Sequence, residues 1–209
     1  GMFLAMQPDI GTLGVVAVTS GIMYFLGGGR VSQMATLSFF GLALLYLLIQ
    51  GATYRLSRIT VFLNPWTDPQ GIGYQITQSF IAIGSGGFLG RGFGKSLQKY
   101  NYLPEPMGDS IFAIHAEEMG FLGATALIFL FSFLFWRGLV IAKNSYDNFG
   151  KLLAAGISIS IMTQVFINMA AISGLLPLTG IPLPFVSYGG TSLAMTLASI
   201  GILLNISKH

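Results

Sequence analysis

The chain has 209 residues, of which 53% are hydrophobic and 8% charged, with a mean hydropathy of +0.73, and these values exclude an ordinary soluble domain. The net charge of +3 is scattered, with no basic stripe and no aromatic-basic interleaving, so no nucleic acid is expected as a partner. Cysteine is absent and His115 and His209 are the only histidines, which excludes disulfides and thiolate metal sites and leaves no convincing parts for a zinc hydrolase or a Ser-His-Asp site.

The sequence opens Gly-Met without a charged n-region or a small-residue cleavage site, so no cleavable signal peptide is expected. Apolar segments at about 10–29, 33–50, 111–136, 150–173 and 189–206 are each long enough, or nearly so, to cross a bilayer as a helix. They predict an all-α, polytopic integral membrane protein with five transmembrane helices. Gln7-Pro8-Asp9 introduces the first span: Pro8 breaks any preceding helix, and Asp9 is placed to cap the next.

An odd number of spans puts the two ends on opposite faces. Arg30, Arg137, Lys143, Lys151 and Lys208 fall in short connections on one face, which the positive-inside rule makes cytoplasmic. Arg55, Arg58, Arg91, Lys95 and Lys99 fall on the other face, in one loop of about sixty residues, a length at which the rule is poorly obeyed. The loop, about 51–109, is therefore predicted to be extracytoplasmic and to carry structure of its own.

Within it, Tyr54-Arg55-Leu56-Ser57-Arg58 leads to a turn-rich stretch at 64–69 and then to an amphipathic run from 74 to 83, with Trp66 and the tyrosines suited to a membrane interface. The glycine-rich stretch at 84–96 invites a phosphate-loop reading, but the Walker spacing needs glycine where Leu89 stands, and no buried strand precedes it. Two roles remain for this stretch: a folded loop whose amides, with Arg91 or Lys95, meet a phosphate, or a purely conformational one.

The segment 103–120, LPEPMGDSIFAIHAEEMG, holds four of the seven carboxylates: Glu105, Asp109, Glu117 and Glu118. Asp109 stands at the mouth of the third apolar segment, hence at a membrane surface, either as a plain helix cap or as a reactive carboxylate. Continuing one helix from there puts Glu117 and Glu118 on the order of 12 Å deeper, where an ionised carboxylate needs a partner or water. His115 lies one turn before Glu118 and is placed to pair with it.

In the fourth apolar segment Gln164 and Asn168 stand four apart on one helix face, as helix-to-helix hydrogen-bonding residues do. The following stretch, 174–190, is apolar and uncharged but contains three prolines and four glycines, which forbid a regular helix. Broken backbone at membrane depth is tolerated where protein or a water-filled cavity receives its polar groups, so this segment is read as a re-entrant or interfacial loop lining a cavity under Asp109.

QPDIGT at 7–12, the run from YRLSR to GRGFGKS at 54–96, YLPEPMGDSIFAIHAEEMGFLGA at 102–124 and LPLTGIPLPFVSYGGTS at 176–192 together resemble the SEDS family (shape, elongation, division and sporulation) of RodA/FtsW/SpoVE membrane glycosyltransferases. The resemblance runs from end to end but covers only the later half of the family's ten-helix SEDS fold, which implies a fragment. The closing LNISK is more like the division and sporulation branch.

The resemblance implies polymerisation of lipid II, the undecaprenyl-pyrophosphoryl disaccharide-pentapeptide, on the outer face of the bacterial cytoplasmic membrane, among membrane lipids and beside a class B penicillin-binding protein transpeptidase. It implies that Asp109 is the catalytic base, with Arg55, Arg58, Lys95 and Lys99 as candidates for the pyrophosphate. Glu117, Glu118, Thr179 and Ser187 complete the candidate substrate contacts; Thr179 stands where some division-branch members have lysine. No metal-ligand set is read from the sequence, and assistance by a divalent cation is left open. The competing readings are a lipid II transporter, with the buried carboxylates, Gln164, Asn168 and the 174–190 segment as a translocation path, and a non-catalytic scaffold.

Overall fold

The computed structural model describes residues 10–50, 53–68, 71–100 and 103–208. The expected cap Asp9 and the Gln7-Pro8 break lie outside the described residues, as does the side chain of Arg55. The described residues form seven α-helices: α1 (Ile10–Leu26), α2 (Val31–Gln50), α3 (Thr53–Leu63), α4 (Ile72–Gly86), α5 (Ile111–Asn144), α6 (Asn148–Ile172) and α7 (Gly190–Ile206). The predicted all-helical class holds, and the long loop does carry structure, namely α3, a 3-10 turn at Pro65–Thr67 and α4.

Local chemistry sets several of the boundaries. Asn64 accepts a hydrogen bond from the Trp66 amide and opens the 3-10 turn, while Asp147 accepts from the Gly150 amide and caps α6. Gly28, at φ 90, reverses the chain between α1 and α2. Arg137, expected in a connection, lies inside α5, which runs on to Asn144 with Lys143 in its last turn.

α5 and α6 are the two described helices long and apolar enough to cross a membrane, and α1 and α7 are shorter apolar helices. The pair α5 and α6 forms the centre. Around it Phe112, Ala113, Val165, Ile172 and Leu183 make a buried core to which α4 adds Ile76 and Ala82. At the other end, Ala142, Ala154, Ala155 and Leu203 join α5, α6 and α7. Small residues let these helices approach closely: a Cβ on Gly138 would stand 2.0 Å from the Ser158 hydroxyl.

α5 is not one continuous helix, because Gly120 adopts φ 65 and ψ −164 inside it. The piece 111–119 therefore stands apart from the long apolar piece 121–144. The backbone groups freed at the break are taken up by the glycine-rich loop after α4. Phe121 and Leu122 donate to the carbonyls of Gly87 (2.9 Å) and Phe88 (3.2 Å), and the carbonyls of Glu117 and Glu118 accept from Arg91 (3.0 Å) and Gly92 (2.9 Å). Only glycine fits where the two backbones meet: a Cβ on Gly90 would lie 2.2 Å from the Glu118 carbonyl oxygen, and one on Gly120 2.2 Å from the Gly90 nitrogen.

Candidate functional site

Asp109 precedes α5, whose cap is Ser110 with no side-chain capping bond, so the carboxylate is not spent on the helix end. It faces α4 instead. The Gln75 amide nitrogen lies 3.3 Å from each carboxylate oxygen and 3.0 Å from the Ser110 hydroxyl. Burial pushes the Asp109 carboxyl above its ordinary range, although the bonds from Gln75 and Ser110 pull the other way. Such a carboxylate is a stronger base than a free one.

The broken 174–190 segment closes over this turn and is tied to it through Asn168, Ser187 and Tyr188. Asn168 of α6 donates both to the backbone carbonyl of Asp109 (2.8 Å) and to that of Ile181 (2.7 Å). Ser187 donates to the Gly108 carbonyl (2.6 Å) and accepts from the Leu183 amide (2.7 Å), and the Tyr188 amide donates to Met107 (2.8 Å). Arg58 reaches over from α3 and donates to the Leu178 carbonyl at 2.7 Å. Thr179 is half-buried beside these bonds, and Gly180, at φ 73, would carry a Cβ 4.0 Å from an Asp109 carboxylate oxygen. Phe185 is held at φ 66, an uncommon backbone for a side chain of its size, and packs on Phe131. Protein groups thus receive the polar atoms of the broken segment, as its composition requires.

Of the candidates, Arg58, Thr179 and Ser187 lie on or bond to the 174–190 segment over the Asp109 turn, and the others lie elsewhere. Glu117 and Glu118 lie on the helical piece 111–119, and each has the partner that a carboxylate out of water needs. Because the helix breaks at Gly120, both carboxylates are wrapped by the loop after α4. Glu117 is fully buried and accepts from the Ser96 hydroxyl and the amides of Leu97 (3.1 Å) and Gln98 (3.3 Å), with Arg91 at 3.4 Å. Glu118 accepts from the Ser96 amide (3.3 Å) and pairs with Lys99 at 2.9 Å.

Lys99, a candidate for the pyrophosphate, is thereby engaged by Glu118 and by the Gly94 carbonyl (2.6 Å); the bond to Glu118 raises its pKa above the ordinary value. The anion-binding amides suspected in the glycine-rich stretch exist, but the anions are the chain's own carboxylates. Lys95 is exposed on the same loop. His115 turns away from Glu118, its Nε2 lying 3.1 Å from the Gly123 carbonyl oxygen.

Two site residues were hidden from sequence reasoning. Gln75 read as one polar position in an amphipathic run, and the signal that could have found it is the buried Ser79 one turn on, whose hydroxyl donates to the Gln75 carbonyl at 2.8 Å. Asn168 was read as a helix-to-helix contact paired with Gln164. The structure separates the two, since Gln164 lines a cleft of about 340 Å³ with Met23, Ser160, Thr196 and Ser199 between α1, α6 and α7. Among the described residues no three His, Asp or Glu side chains gather as metal ligands.

An all-helical fold with two helices long and apolar enough to cross a membrane, and a half-buried carboxylate under a latched, broken segment, defines the class of helical membrane proteins. The chain belongs to the FtsW/RodA/SpoVE family, whose model, described as "Cell cycle protein", matches residues 1–209. It is 48% identical over 208 residues to stage V sporulation protein E of Bacillus subtilis, covering all of this chain and 57% of that protein. It is 44% identical over 211 residues to a probable peptidoglycan glycosyltransferase FtsW of Geobacter sulfurreducens, covering all of this chain and 56% of the relative.

The chain therefore spans about half the length of these curated relatives. Among solved structures it resembles a chain from a study of how a peptidoglycan synthase complex coordinates polymerization and crosslinking, with a TM-score of 0.74 at 27% identity over 98% of this chain and 57% of the other. It also resembles the rod shape determining protein RodA of Thermus thermophilus, with a TM-score of 0.63 at 26% identity over 98% of this chain and 51% of that one.

Proposed function

We propose that this chain carries the carboxylate site of a peptidoglycan glycosyltransferase that polymerises lipid II on the extracytoplasmic face of the bacterial cytoplasmic membrane. The observation that carries the reading is the Asp109 carboxylate: half-buried, raised in pKa, aimed by Gln75 and not used as a helix cap. In the reaction, the acceptor sugar's 4-hydroxyl attacks the anomeric carbon of the donor strand. A carbon–oxygen bond forms there, the bond to the lipid pyrophosphate breaks, and Asp109 takes the hydroxyl proton.

Negative charge grows on the departing pyrophosphate and calls for a fixed cation nearby. Arg58, whose guanidinium already touches the Leu178 carbonyl of the segment over Asp109, is the described residue best placed to supply it. The latched 174–190 segment favours a fixed site over a moving transport gate, since Asn168 and Ser187 hold it to the Asp109 turn and Arg58 holds it to α3. A class B penicillin-binding protein, which crosslinks the strands made, is the proposed partner. Names such as peptidoglycan glycosyltransferase among the relatives support the substrate class.

The test is glycan chain formation from labelled lipid II by the purified full-length protein with its transpeptidase. The Asp109→Asn protein, normalised to folded amount, should lose polymerisation while still inserting into membranes. Near-normal polymerisation by that protein would end the assignment.

A further inference from the structure

The loop 87–99 is bound by backbone bonds to the break in α5; Arg91, Ser96 and Lys99 turn in to Glu117 and Glu118, while its apolar side chains face away from the protein. Phe88, Leu89 and Phe93 are 63%, 76% and 82% exposed. Phe88 stacks on Phe121, the first residue past the break, with ring centroids 5.8 Å apart and planes 19° from parallel. Phe121 is itself exposed and begins the long apolar piece of α5, where the exposed Ile128, two turns on, lies on the same helix face. The exposed loop side chains thus adjoin, through Phe121, an exposed apolar face of α5. The loop carries Arg91, Lys95 and Lys99 and no acidic residue.

We propose that the 87–99 loop is a lipid-embedded wedge. Phe88, Leu89 and Phe93 lie at the acyl–headgroup boundary of the leaflet in which the long piece of α5 begins its crossing, and the exposed Lys95 meets phospholipid phosphate. Three physical conditions favour this placement over an aqueous or protein-covered one. Backbone at membrane depth must have its hydrogen-bonding groups satisfied, and Gly87, Phe88, Arg91 and Gly92 spend theirs on the break in α5. A charged anchor under the loop must be neutralised, and Glu117 and Glu118 are paired with Arg91 and Lys99. Outward aromatic and leucine side chains flanked by cations match an interface whose headgroups are anionic.

The test uses the full-length protein, freed of any other cysteine, in nanodiscs of phosphatidylethanolamine and phosphatidylglycerol. Single cysteines at 89, 93 and 146 are spin-labelled, and collision with oxygen, which concentrates in lipid, is compared with collision with a water-soluble nickel chelate. Leu89 and Phe93 are largely exposed, so the labels replace side chains that hold no packing. Tyr146, 96% exposed between α5 and α6, is the aqueous control.

The expected result is an inversion: oxygen collisions dominate at 89 and 93, and nickel collisions dominate at 146. Nickel access at 89 and 93 equal to that at 146 would place the loop in water and overturn the proposal. Low access to both reagents at 89 and 93 would show a protein cover, and would overturn it as well.

Discussion

The Gln75 amide bridges both oxygens of the Asp109 carboxylate at 3.3 Å, from a position 34 residues earlier in the chain. Its bond lowers the Asp109 pKa, while burial, the larger effect, raises it. A base works in its deprotonated form, so activity rises with pH through the pKa of the folded protein. Gln75→Leu removes the lowering bond, and the acid limb of the polymerisation profile should move to higher pH. An unmoved limb with intact activity would separate Gln75 from the carboxylate's function.

Asp109→Asn tests proton transfer itself. The two side chains are nearly the same size and the carboxylate caps no helix, so folding and membrane insertion should stay close to unchanged. The asparagine amide cannot take the hydroxyl proton, and polymerisation should fall by about 100-fold or more. The measurement is strand formation from lipid II per folded molecule.

Glu117→Gln should act on stability before turnover. The carboxylate is fully buried among Ser96, Leu97, Gln98 and Arg91, and a weaker, half-satisfied set of bonds there costs about 1–3 kcal/mol. The thermal midpoint in detergent should drop while the rate per folded molecule holds. Gly90→Ala strikes the same joint through the backbone, at φ 80 and against the Glu118 carbonyl, and should lower the midpoint too.

Asn168→Ala frees the carbonyls of Asp109 and Ile181 together. The variant should keep its helices but loosen the 174–190 segment. Hydrogen exchange at Ile181 and Leu183 should rise, and polymerisation should fall without a shift of the acid limb. Unchanged exchange would show that Ser187 and Arg58 hold the segment on their own.

The charge pattern in the short connections predicts that residues 145–147 lie inside and the α3–α4 region outside. A cysteine replacing Tyr146 should resist an impermeant thiol reagent in intact cells, and one replacing the exposed Thr67 should react. The opposite labelling would invert the orientation.

The helical segments were legible because long apolar runs leave few alternatives, and Asp109 stood out as a carboxylate at the mouth of one of them. That Glu117 and Glu118 need partners was legible, but not that the loop after α4 supplies them, nor that the helix breaks just beyond. A single glycine inside an apolar run looks like any tolerated helix glycine, and nothing local says that Gly120 takes φ 65. The break depends on Gly87, Phe88, Arg91 and Gly92, some thirty residues earlier. Gln75 and Asn168 escaped similarly, because each gains its role from a partner distant in sequence: Gln75 from Asp109, and Asn168 from Asp109 and Ile181. Lys99 was legible as a cation but not as one already matched by Glu118.

The break at Gly120 also separates two mechanical tasks. In an unbroken helix, any tilt the bilayer imposes on the crossing would swing Asp109 through space like the end of a lever. Here the short piece 111–119 is pinned by Arg91 and Gly92 of the loop below and by Asn168 and Ser187 above. Beyond the stitched amides of Phe121 and Leu122 the crossing piece is left to match a thinner or thicker membrane, as spans do at modest cost, while the carboxylate keeps its place. Turnover in vesicles of differing acyl length should accordingly vary little for the native chain, and more steeply once the glycine joint is made rigid.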